Sequence, residues 1–108
     1  MRAAEVYWNR QLAGILTESD ANEYTFTYTA EWFADPYKPA VSLTLPKSRR
    51  EHYSTILFPF FFNMLSEGVN RRLQSRALQI DENDHFGLLL ATARDDTVGA
   101  VTIKPIVP

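Results

Sequence analysis

The chain has 108 residues, 45% hydrophobic and 22% charged, with a net charge of −2 and no cysteine. That length suits one domain able to bury about 65% of its unfolded surface. The absence of cysteine excludes disulfides, thiolate metal sites and cysteine nucleophiles, and the weak negative charge argues against a dedicated nucleic-acid binder.

No apolar run reaches the roughly 20 residues needed to span a bilayer. The opening MRAAEVYWNR has no signal-peptide core. One soluble, intracellular domain over residues 1–108 is the expectation.

Glu5 to Trp8 reads as a strand, Asn9-Arg10 as a tight turn and Gln11 to Leu16 as the return strand. Gly14 inside that second strand suggests a bulge or a close backbone approach. Ser19 to Glu23 is a polar loop. From Tyr24 to Thr29 aromatic residues alternate with threonines, placing Tyr24, Phe26 and Tyr28 on one face of a third strand. Trp32-Phe33 falls in a turn or helical stub closed by Asp35-Pro36. Val41, Leu43 and Leu45 alternate with Ser42 and Thr44, which predicts a fourth strand ended by Pro46. Lys47-Ser48-Arg49-Arg50 reads as an exposed charged loop rather than a phosphate site, and His52 stands alone as a hydrogen-bonded or surface histidine.

The densest aromatic run, Phe58 and Phe60 to Phe62, leads to the break at Ser66-Glu67-Gly68. Four phenylalanines in five positions cannot share one face of a short helix, so some pack inward and others meet a second surface. Pro59 sets a helix start near Leu57 to Pro59, because proline lacks an N–H and suits a first turn. Gly68 suits the stop, and Ser66 or Glu67 the start of the next helix. The resulting corner, with Met64 to Gly68 at its tip, either packs only the core or also meets a partner.

Beyond the corner, Val69, Leu73, Ala77 and Ile80 recur at helical spacing and predict a core face. Arg72 and Arg76 share an exposed face beside Arg71, either solvated or set to dock an acidic partner. Asp81 and Asp84 are candidate caps for a third helix with an apolar stripe of Phe86, Leu89, Leu90 and Ala93. His85 is read as an N-terminal residue of that helix. Asp95 to Thr97 forms a turn, Val98 to Ile103 a last strand and Pro105 its end. The class is α+β: a small, mostly antiparallel sheet followed by three helices and a final strand.

No catalytic, cofactor-binding or metal-binding residue is assigned. The sequence has no phosphate-cradling glycine loop, no nucleophile elbow and no histidine pair with a carboxylate. Asp95-Asp96 lacks the further oxygen ligands a cation needs.

Read in order, several segments resemble the N-terminal subdomain of the HipA toxin-kinase family. They are Ala13-Gly14-Ile15-Leu16, Phe26-Thr27-Tyr28 with Trp32, Val41 to Pro46, Phe61 to Gly68, Arg71-Arg72-Leu73, Asp84 with Phe86, Leu89 and Leu90, and Asp96 to Val101. The family's Leu-Leu-Pro-Glu-Gly corner reads Met64-Leu65-Ser66-Glu67-Gly68 here, and Arg94 stands where a glycine is expected. The chain ends at Pro108, before the point where such a toxin continues into its kinase body.

A freestanding copy is similar to HipS of the bacterial HipB–HipS–HipT toxin–antitoxin systems. The resemblance implies a cytoplasmic antitoxin-like module that binds and restrains a separate HipA- or HipT-type serine/threonine kinase, and is no enzyme itself. It leaves room for a HipB-type DNA-binding protein as a second partner, without direct contact to nucleic acid or membrane. The other function class is a non-inhibitory subdomain that completes a kinase fold or steadies a repressor complex on DNA. The residues expected to meet the partner kinase are Met64, Leu65, Ser66 and Glu67 at the tip, with Arg71 or Arg72 beside them on acidic groups at the rim.

Overall fold

The computed structural model describes residues 1–65, 68–92 and 100–106. Strands β1 (Arg2–Trp8) and β2 (Gln11–Glu18) form the predicted hairpin. Asn9 and Arg10 both take positive φ, 48° and 66°, as a two-residue turn matched to strand twist requires. The β1–β2 register shifts between Val6, facing Gly14, and Tyr7, facing Leu12. A Cβ at Gly14 would lie 2.6 Å from Phe26 Cζ and 2.7 Å from the Thr27 carbonyl, so the expected bulge and close approach coincide.

Strand β3 (Tyr24–Tyr28) pairs with β2, turning Phe26 and Tyr28 into the core. Helix α1 (Ala30–Ala34) is the expected stub, capped by the Thr29 hydroxyl accepting from Trp32 N–H. Beyond it the structure corrects the sequence reading. Residues 41–45 are not a strand, and β4 is Glu51–Ser54. Val41 and Leu45 do point inward, but Leu43 is 98% exposed. The buried Tyr28 hydroxyl is the cause, accepting from Val41 N–H and donating to the Leu45 carbonyl. It holds both ends of the segment and draws it into a turn.

Helices α2 (Pro59–Phe62), α3 (Gly68–Leu78) and α4 (His85–Thr92) follow, then β5 (Val101–Ile106). The sheet order is β4-β3-β2-β1-β5, and every pairing is antiparallel. With α2, α3 and α4 following the stub α1, the α+β class is as expected, although α2 is itself a single turn. The final strand reaches further than the predicted Ile103. Pro105 lies inside β5 opposite Ala4, which an edge strand tolerates because its outer side needs no N–H. Ala93, the Asp95–Thr97 turn and the predicted strand start at Val98 lie outside the described residues.

The core fills one face of the sheet. Phe26 packs at 4.8 Å from Tyr28 and 5.8 Å from Phe61, ring centre to ring centre. Trp32, Phe86, Leu88 and Leu89 close over them, all buried. Helix α3 departs from expectation: Leu73 is 57% exposed and Ala77 is exposed, while Ile80 packs against the core. The predicted core stripe therefore faces solvent along part of its length.

Candidate docking corner

Pro59 at the first position of α2 follows an extended Phe58, which supplies no side-chain cap. From this start Phe58 and Phe61 turn inward, while Phe60 and Phe62 remain half-buried at the core's rim. The aromatic run divides between two surfaces, as its density required. Tight turns continue past the helix, with Met64 N–H donating to the Phe61 carbonyl and Leu65 N–H to the Phe62 carbonyl. They swing Leu65 inward to 6% exposure and leave Met64 half-buried against the core. A projecting Leu65 is thus corrected: it anchors the corner from inside. Gly68 opens α3 rather than closing the helix before it. Ser66 and Glu67 lie outside the described residues.

Phe62 is the hinge of the exposed surface. Its ring meets the His85 ring edge-on at 5.0 Å, and the Arg71 guanidinium lies 5.2 Å over its centre. Ile56, Leu57, Pro59, Phe62, Asn63 and His85 line an apolar groove of about 350 Å³. Arg72 and Arg76 are exposed on α3, with Leu73 between them in sequence. The corner therefore combines an apolar groove, a half-buried methionine and an arginine-bearing helix. Helix α3 stops in a left-handed cap at Gln79 (φ 55°), with Ile80 N–H donating to the Ser75 carbonyl.

A polar clamp fixes α4, and with it His85. Asp84 caps the helix, its Oδ1 accepting from Gly87 N–H at 3.1 Å. The same carboxylate takes two hydrogen bonds from Arg2, at 3.0 and 2.8 Å, and Arg2 also binds Glu18. The Arg2 hydrogen bond is the main cause holding the Asp84 carboxyl below its ordinary value. Burial, then the bond donated to Glu18, pushes the Tyr24 hydroxyl up to about 12. Arg2 thereby ties β1 and the end of β2 to the N-terminus of α4.

The basic loop is exposed at Ser48, Arg49 and Arg50, as expected, and also braces the fold. Lys47 Nζ donates to the carbonyls of Asp35 and Lys38 at 2.6 and 2.7 Å, and Arg50 Nε to that of Tyr28. His52 is buried, its Nε2 within 2.9 Å of the Pro46 carbonyl and 3.1 Å of that of Arg49. Among the described residues no acidic or histidine cluster could hold a metal ion, and no helix is long and apolar enough to cross a membrane. Sequence reasoning missed Ile56 and His85 as groove residues. Ile56 at 65% exposure beside a buried Leu57 has no periodic signature, and His85 reads only as a helix start.

A profile of the HipA N-terminal domain matches residues 4–104. The chain belongs to the HipA N-terminal domain family. An isolated N-terminal domain of HipA toxin superposes with a TM-score of 0.74 at 25% identity, covering 99% of this chain and 94% of that one. The HipA of Shewanella oneidensis MR-1, solved with HipB and its operator DNA, gives a TM-score of 0.79 at 21% identity, which speaks to the fold. Among sequence relatives, an uncharacterised protein of Haemophilus influenzae is 29% identical over 104 residues, 96% of this chain and 92% of that protein. Y4mE of Sinorhizobium fredii, which carries a provisional kinase name, is 27% identical over 97% of this chain. The match spans 25% of Y4mE and 24% of the Shewanella HipA. The proteins similar to this chain thus include both a short relative and much longer ones.

Proposed function

We propose that the chain is an antitoxin-like binding module that docks on a separate HipA-type serine/threonine kinase and restrains it in the cytoplasm, performing no catalysis itself. The observation that carries this is the corner: a groove beside Phe62 stays open, Arg71 of α3 lies over that ring, and α3 exposes Leu73 along with Arg72 and Arg76. Exposed apolar side chains with charged neighbours are what a docking site presents. Met64, Arg71 and Arg72 form the contact, with Ser66 and Glu67 between them in sequence and Leu65 holding the corner from within. Family membership supports the choice of partner, and the short Haemophilus relative supports a module of this size acting in trans.

A second reading is favoured by the longer relatives, in which the match is about a quarter of the chain. On that reading the domain completes a kinase fold, or steadies a HipB-type repressor complex on DNA, without inhibiting. Co-expression with the HipA-type kinase of the same genome separates the two. Restored growth supports restraint, whereas undiminished toxicity despite a stable complex supports completion. A failure to form any complex ends both.

A further inference from the structure

An exposed leucine is ordinary on a protein surface. Leu43 differs because the loop that displays it is built rigidly from several sides. Tyr28 holds Val41 and Leu45 from below. Above them Leu45 N–H donates to the Ser42 carbonyl, and Thr44 N–H to the Ser42 hydroxyl. Trp32 Nε1 donates to the Pro39 carbonyl at 2.8 Å, and Lys47 draws Asp35 and Lys38 together. The same braced segment leaves Tyr37 94% exposed and Leu43 98% exposed.

Its charge sets the partner. Residues 35–50 carry four cations against one acid, Asp35; Lys38 and Lys47 are half-buried, and Arg49 and Arg50 present the exposed charge, in a chain whose net charge is −2. A cationic segment with an apolar tip is complementary to an apolar pocket rimmed by carboxylates. A braced tip also loses little conformational freedom on docking, so its burial is retained as affinity.

We infer that the 41–50 loop is a second docking point, with Leu43 as its anchor, received by an acidic-rimmed apolar pocket on the HipA-type kinase; this rests on the kinase-binding reading above. Leu43 points away from the core, so Leu43→Ser tests the contact without touching the fold. Calorimetric titration of the purified kinase with the wild-type chain, Leu43→Ser and Arg49→Glu is the experiment, with melting curves alongside. Expected is a loss of at least tenfold in affinity for Leu43→Ser at an unchanged melting temperature. Arg49→Glu should slow association at low salt and much less at high salt.

Wild-type affinity in Leu43→Ser overturns this inference while leaving the kinase-binding reading intact. No binding by the wild-type chain overturns both. Duplex-DNA binding lost in Arg49→Glu and kept in Leu43→Ser would reassign the loop to phosphate contacts. Dimers of the isolated chain that vanish in Leu43→Ser would reassign it to self-association.

Discussion

Arg10 sits at φ 66°, where an L side chain crowds its own backbone and glycine does not. Arg10→Gly should therefore raise stability by about 1 kcal/mol, visible as a melting point some 4 °C or more higher. Gly87 presents the opposite case. Helix propensity alone favours Gly87→Ala. A Cβ there would, however, lie 2.3 Å from Asp84 Oδ2 and 3.0 Å from Arg2 Nη1, and so would force the capping carboxylate off its partners. The expected result is a loss of about 1–2 kcal/mol in denaturant unfolding. Asp84 also fixes a pH dependence. Its folded pKa is lowered, chiefly by the Arg2 hydrogen bond. Its contribution is thus fully present above the unfolded value of about 3.9 and is lost as pH falls through the folded value. Melting curves taken from about pH 6 down to about pH 2 should fall less steeply in Asp84→Asn, which keeps a capping oxygen but cannot titrate.

At the scale of elements, legibility followed how locally each one is determined. The hairpin and β3 could be read because alternation and turn chemistry act over a few residues, and Pro59 marked the start of α2. The alternation at residues 41–45 was the same signal with a different outcome. A hydroxyl from β3, distant in sequence, claims the backbone groups a strand would have used. Helical periodicity in α3 correctly reported an amphipathic helix, but periodicity cannot say what covers the apolar side. The candidate site was legible as a corner, while the inward turn of Leu65 depends on the tight turns after α2. Met64→Ala should weaken kinase binding by about 1–3 kcal/mol if Met64 fills a pocket on the partner. A side chain that only fills the corner would instead lower the melting temperature and leave affinity per folded molecule unchanged. Calorimetry beside melting curves separates these outcomes.

For the whole molecule, the sheet order places β1 between β2 and β5, so the first strand is finished by the last. Ala4, Val6, Val101 and Ile103 are all buried, and each β5 residue finds its register partner within Ala3 to Trp8. A chain ending at Ala100 should lack that closure and show neither a cooperative melt nor native-like circular dichroism. Contacts this distant in sequence are also slow to form. Translation adds residues at about 5–20 per second, so several seconds separate the synthesis of β1 from that of β5. During that interval β1 is an open edge, able to pair with any other strand it meets. The five-stranded sheet therefore cannot close until β5 has been made, and the nascent chain carries an unpaired side of β1 until then.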